Sequence, residues 1–290
     1  MKLNKWFYLA ALSFIWGSSF ILIKKGLVGL TAIELGSIRI IISAFVLIPF
    51  TFNRLKEITF KQWKWIIISA FVGSFFPAFL FAFAEQEIDS SVASILNSIV
   101  PLNTIIIGLV LFGIKSTKRQ IIGVLLGFFG AYQLIISGMN LNPDQNYFYS
   151  GLVIICSFLY AFNVNIIKKY LQELSAVAIA TGHFIVILIP AIIVLLISDF
   201  NFEKLHSPQT QTSLFYVIIL AVFGTTLAKI LFNKLINISS AVFASSVTYS
   251  MLIVSIFWGI LDGENFSFNQ LFATVIIILG ILLTNKKSRN

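Results

Sequence analysis

Ten continuous apolar stretches, each close to the length that crosses a bilayer, limit what this chain can fold into more than any other feature. They run over residues 6–24, 31–52, 63–84, 90–112, 119–137, 149–168, 175–198, 214–235, 239–261 and 268–284. About 20 apolar residues in a helix span about 30 Å of hydrocarbon. A transmembrane barrel would instead need strands of alternating polarity, which these stretches lack. With 58% hydrophobic and 11% charged side chains, the chain has too little polar surface to cover a water-soluble globule. The expected fold class is an all-α polytopic membrane protein with ten transmembrane helices.

Net charge is +9, but the basic residues are spread over short loops and form no aromatic-interleaved patch, so nucleic acid is not an expected partner. Membrane lipid is. With the N-terminus inside, sixteen of the 20 basic residues fall in cytoplasmic segments, among them Lys2, Arg54, Lys115, Arg119, Lys168, Lys234, Lys286, Lys287 and Arg289. The opposite loops hold Glu85, Glu87, Asp89, Asp144, Asp199, Glu203, Asp262 and Glu264, with Lys24, Lys25 and Lys204. The positive-inside rule then places both termini in the cytoplasm, as in a bacterial inner membrane. The first apolar stretch lacks a small-residue cleavage site at its end and is expected to be retained as a helix. A single cysteine, Cys156, excludes an internal disulfide and a multi-cysteine metal site.

The chain also matches itself. At an offset of 144, "FIWGSSFILIKKGL" (residues 14–27) meets "FLYAFNVNIIKKYL" (residues 158–171), which pairs Trp16 with Tyr160, Ser19 with Asn163, and Arg39 with His183. Near offset 150, Gly113 meets Gly263, Gln120 meets Gln270 and Gly130 meets Gly280. This predicts two units, 1–138 and 148–290. Each unit has five spans, an odd number, so the second must lie inverted in the membrane. Inverted repeats suit carriers, because two such halves can exchange conformations around a central site.

"WGSSF" (16–20), "SSVASILNSIVPLNTIIIG" (90–108), "SSAVFASSVTYSMLIVSIFWG" (239–259) and "DGENF" (262–266) resemble the EamA-type branch of the drug/metabolite transporter superfamily. The resemblance covers almost the whole chain. It implies a ten-helix carrier, often an exporter of amino acids or other small metabolites, with a substrate cavity between the halves. The family's Gly-Glu turn stands at Gly263 and Glu264, whereas the first half reads Gly113, Ile114, Lys115.

Ionisable groups inside a membrane are costly, so they mark sites worth weighing. Lys229 forms a stripe with Thr225 and Asn233 at i, i+4, i+8, and with Thr226 three residues before it. The stripe reads as a cavity wall suited to a substrate carboxylate or phosphate; the alternative is a lysine that snorkels to the interface. Arg39 and His183 are a candidate gate or proton pair, against a plain role in helix-to-helix hydrogen bonding. Trp16 with Ser19, Tyr160 with Asn163, and Asn97, near a kink expected at Pro101, are candidates for holding a small organic solute. Tyr249 joins them in a ninth span too polar for lipid. Interhelical hydrogen bonding is the competing reading for each polar one.

The sequence offers no catalytic dyad and no phosphate-binding Gly-rich loop with Lys-Ser/Thr, so neither an enzyme nor an ATP-driven pump is expected. No cofactor or metal is implied. The expected function is a secondary transporter of small organic metabolites, foremost an exporter of amino acids or related compounds, by alternating access. An importer or exchanger of another metabolite class, or a structural membrane protein, is the alternative.

Overall fold

The computed structural model describes residues 4–113, 117–198 and 200–285, and these contain helices and turns without a strand. Lys2, Ile114, Lys115, Asp199, Lys286, Lys287 and Arg289 lie outside the described residues, and so does the side chain of Gln120. Among the described residues, nine helical rods are long and apolar enough to cross a membrane. They are α1 (Lys5–Gly26), α2 (Ala32–Glu57), α3 (Phe60–Glu85), α4 (Ser90–Phe112), α5 (Ile121–Leu141), α6 (Tyr147–Tyr170), α7 (Ala176–Ile197), α8 (Pro208–Ile238) and α9 (Ala241–Leu261). The last rod, α10 (Phe268–Asn285), is apolar over a shorter stretch, Phe268–Gly280. Large apolar side chains such as Phe50, Phe60, Leu196 and Phe268 project outward from the bundle, as contact with lipid tails demands. The chain is an integral membrane protein.

Short polar signals start and stop the rods. Thr31 and Glu34 form a reciprocal cap at the start of α2, with the Thr31 N–H donating to Glu34 Oε2 at 2.8 Å and the Glu34 N–H to Thr31 Oγ1 at 3.2 Å. Ser267 and Gln270 repeat the device before α10. Gly113, which ends α4, and Gly263, which follows α9, have φ of 70° and 84°. A Cβ is strained in that left-handed region, which is why glycine closes both rods.

Four rods are interrupted within their length, whereas α2 and α6 carry only terminal 3-10 segments, Phe52–Glu57 and Tyr147–Tyr149. In α3 the segment Phe71–Phe75 is a π turn. In α8 the π segment is longer, Leu220–Leu227, and Thr225 Oγ1 donates back to the Leu220 carbonyl at 3.0 Å. The fourth rod breaks after Asn97 and resumes at Val100 with Pro101 in its first turn. The ninth breaks after Ser245 and resumes at Val247. The break in α4 precedes Pro101 rather than centring on it, because a proline is well accommodated in a helix's first turn.

Packing relates the rods in pairs. Gly130 of α5 backs onto Ala273 and Ile277 of α10, while Gly280 of α10 backs onto Gly123 and Gly127, so these two run antiparallel. The end of α2 meets the start of α7, where Thr181 Oγ1 donates to Thr51 Oγ1 at 2.7 Å. Along α1 and α9, Ser13 meets Ser250 at 2.8 Å and Trp258 Nε1 donates to Ser18 Oγ at 3.0 Å, so that pair is parallel.

Candidate functional site

A cavity opens where α1, α2, α3, α4, α6, α7, α8 and α9 converge, enclosing about 970 Å³ of empty space with its mouth included. Seven of the residues singled out in the sequence line it: Trp16, Ser19, Asn97, Tyr160, Asn163, Thr225 and Lys229. Arg39 lines it as well. Tyr249 does not; it packs against the apolar core while its neighbour Thr248 faces the cavity. His183 is fully buried away from it, and neither of its ring nitrogens has a hydrogen-bond partner among the described residues. The proposed pairing of Arg39 with His183 therefore does not bring both side chains to one cavity wall.

The irregular segments of α3 and α8 furnish this site. Gly73 sits in the first π turn, and the residue four positions on, whose N–H would take its carbonyl in a regular α-helix, is Pro77. The Gly73 carbonyl instead accepts from Lys229 Nζ at 2.9 Å. Lys229 is 7% exposed, so its ammonium ends inside the protein and does not snorkel. In α8 the Ala228 N–H reaches back to the Phe223 carbonyl, one residue past Gly224, and the Gly224 carbonyl accepts from Trp16 Nε1 at 3.0 Å.

Both glycines also permit close helix contact. A Cβ on Gly73 would overlap the Asn163 amide, and one on Gly224 would meet Ser19 Oγ at 2.5 Å. Ser19 and Asn163 are mates in the sequence repeat. Asn163 Oδ1 accepts from Ser69 Oγ at 2.5 Å, which orients the amide against α3.

The polar stripe expected on α8 does not reach the cavity as one face; Asn233 lies one regular turn beyond Lys229. Thr225 and Lys229 reach the cavity; Thr226 donates to the Ser43 carbonyl of α2, and Asn233 Nδ2 to the Ala176 carbonyl of α7 at 3.3 Å. Thr225 Oγ1 accepts from Arg39 Nε at 2.6 Å, so a donor from α2 is held beside Lys229. Aromatic rings close the walls: Tyr160 stacks near Phe81, and Trp16 meets Phe232 edge-on with centroids 4.8 Å apart. Asn97 Oδ1, buried and facing the cavity, has no hydrogen-bond partner among the described residues.

A second polar cluster lies at the lysine end of α1, unforeseen in the sequence beyond its charges. Lys24 Nζ donates to Glu264 Oε1 at 2.8 Å and lies 3.1 Å from Asp262, and Lys25 pairs with Asp262. Glu264 also accepts from the N–H and Oγ of Ser90 and from the N–H of Ser91, capping α4 with a carboxylate where the helix dipole favours one. Burial pushes the Glu264 carboxyl up, but the bonds from Lys24, Ser90 and Ser91 outweigh it and hold the group below the usual carboxylate range. Asp262 is likewise held low, burial being outweighed by Lys25 and Lys24. Lys204 pairs with Glu34 at 2.7 Å nearby in the same face of the bundle's loops. Among the described residues no group of His, Cys, Asp and Glu is arranged to hold a metal ion.

A polytopic helical protein with a partly polar cavity walled by broken helices has the architecture expected of a membrane transporter. The comparisons agree with that class. A model of the EamA-like transporter family matches residues 4–136 and again 148–286, and the chain belongs to that family. Among its relatives, Uncharacterized inner membrane transporter YedA of Escherichia coli (strain K12) is 26% identical over 280 residues, covering 95% of this chain and 88% of its own. An Uncharacterized transporter of Archaeoglobus fulgidus is 28% identical over 291 residues, 96% of each chain. Uncharacterized transporter YoaV of Bacillus subtilis (strain 168) is 22% identical, covering 94% of each chain. A solved crystal structure superposes with a TM-score of 0.68 over 96% of this chain and 95% of its own; at 12% identity it speaks for the fold alone.

Proposed function

We propose that the protein is a secondary carrier that exports small organic metabolites bearing an anionic group, amino acids foremost, across the cytoplasmic membrane by alternating access. One observation carries this reading: Arg39 and Lys229 both line a cavity whose lining, among the described residues, includes no carboxylate. Two buried cations without an acidic partner favour a ligand that brings its own negative charge. An amino acid fits further, because Asn97 Oδ1 offers a free acceptor for its ammonium and Trp16 and Tyr160 offer ring faces for its side chain.

Alternating access rests on two inverted five-helix units, 1–138 and 148–290, with both termini cytoplasmic and ten spans in all. Several mated features support it: Gly113 with Gly263, the π turns around Gly73 and Gly224, their contacts with Asn163 and Ser19, and the breaks at Ser98 and Ser246. Equivalent rods α5 and α10 run antiparallel, as inversion requires. The distribution of lysine and arginine supports the orientation.

The test compares metabolites inside and outside cells that express the wild type or carry an empty vector, over a time course. A carboxylate-bearing solute that accumulates outside only with the wild type supports the reading. Accumulation inside reverses the direction, and a purely cationic solute overturns the substrate class.

A further inference from the structure

Glu85 ends α3 with its carboxylate enclosed by protein. It is 6% exposed, and neither oxygen has a hydrogen-bond partner among the described residues. An ionised carboxylate in that position would lack the donors that normally make burial tolerable. Its neighbour Glu264 is the opposite case, holding four donor contacts from Lys24, Ser90 and Ser91. Two carboxylates sharing one water-poor site divide the roles by their donors: the well-bonded one keeps its charge and the bare one keeps a proton.

Three charged groups act on Glu85. Glu264 acts as a like charge, and Arg39 and Lys24 as opposite ones. Lys24 is committed to Asp262 and Glu264. Arg39 is the positive group that also lines the cavity. The other titratable groups on elements packed against this end of α3 are engaged or neutral. Glu34 on α2 is paired with Lys204, Asp89 accepts from Asn142 Nδ2, and Tyr160 and Cys156 on α6 carry no charge in their ordinary forms.

We propose that Glu85 is a proton-binding site of this protein, protonated beside the ionised Glu264 and coupled to the cavity through Arg39. An anion seated on Arg39 cancels the positive charge that would help Glu85 ionise, so anion and proton are bound together. That link to transport rests on the function proposed above. The proton site itself rests on the geometry at Glu85.

The experiment needs no known substrate. Purified full-length protein is treated with dicyclohexylcarbodiimide, a membrane-soluble reagent that attacks protonated carboxyls, across a pH series, and the modified residue is mapped by mass spectrometry. Glu85 is expected to be modified at neutral pH, with labelling lost as the pH rises. Arg39→Gln, which mimics neutralisation by a bound anion, is expected to carry labelling to higher pH; Glu264→Gln is expected to end it at lower pH. Infrared spectra should contain a protonated-carboxyl band that Glu85→Gln removes. If Glu85→Gln does not fold, labelling of the wild type and of the two charge variants still decides the matter. Absence of label and band at Glu85, or labelling indifferent to both charge changes, overturns the proposal. A protein that labels as expected but moves no solute would instead overturn the transport reading alone.

Discussion

Lys229 donates from Nζ to the Gly73 carbonyl at 2.9 Å, joining α8 to α3 across the cavity. That acceptor exists because Pro77 lacks the N–H that would occupy it, so a proline in one half of the chain fixes a lysine in the other. The contact engages one of the three ammonium donors of Lys229.

Replacing Lys229 with Met keeps the stem's bulk and removes the charge. Loss of a charge-assisted hydrogen bond of about 1.5–3 kcal/mol should weaken recognition of an anionic substrate about 10- to 100-fold. The concentration dependence of transport, compared with the amount of folded protein in the membrane, checks this.

Pro77→Ala restores a backbone donor to the Gly73 carbonyl. The helix should become more regular and no less stable, while Lys229 loses its anchor. The expected outcome is a melting temperature at or above that of the wild type together with slower transport, measured on the same preparation.

Gly73→Ala and Gly224→Ala push a methyl into Asn163 and Ser19 respectively. Each should destabilise by about 1–3 kcal/mol, the usual effect of overpacking a close contact. Gly151→Ala, with nothing within 4 Å of the added carbon, should not destabilise and should raise stability by up to about 1 kcal/mol. Thermal unfolding in detergent separates the three.

Glu264 and Asp262 set a pH dependence at the lysine end of α1. Both carboxyls are held below their usual range in the folded protein. Their stabilisation is therefore complete above the unfolded carboxylate range and is lost as pH falls through the depressed folded values. The melting temperature of the wild type should fall on acidification in that window, and Glu264→Gln should show a smaller fall from a lower starting point.

Much of the scaffold was legible because bilayer thickness sets span length. The apolar stretches at 6–24 and 31–52 coincide within a few residues with helices Lys5–Gly26 and Ala32–Thr51. The eighth rod begins at Pro208, six residues before the stretch marked at 214, because the polar Thr210 and Ser213 are buried against the chain near Lys25 and Gly29. Hydropathy has no means of registering that contact.

Local irregularity was not legible. The apolar run around Gly73 has no polar periodicity whose slip would mark a π turn. In α8, Thr226 and Asn233 bond to carbonyls of α2 and α7 and do not line the cavity, although regular helical spacing had put them on one face with Thr225 and Lys229. Glu85 read as a loop acid because it stands beside Gln86 and Glu87, yet α3 carries it into the bundle. The signal that could have drawn attention to the π turns was the near match of Gly73 with Gly224 in the repeat, reinforced by Pro77 four residues after the first.

The most direct measurement loads proteoliposomes with a mixture of the protein amino acids, washes them, and follows the outside composition with wild type, Lys229→Met and protein-free vesicles. The account predicts selective, time-dependent release by the wild type and its loss with Lys229→Met. Release by the variant at the wild-type rate and selectivity, or no release by the wild type beyond protein-free vesicles, would contradict it.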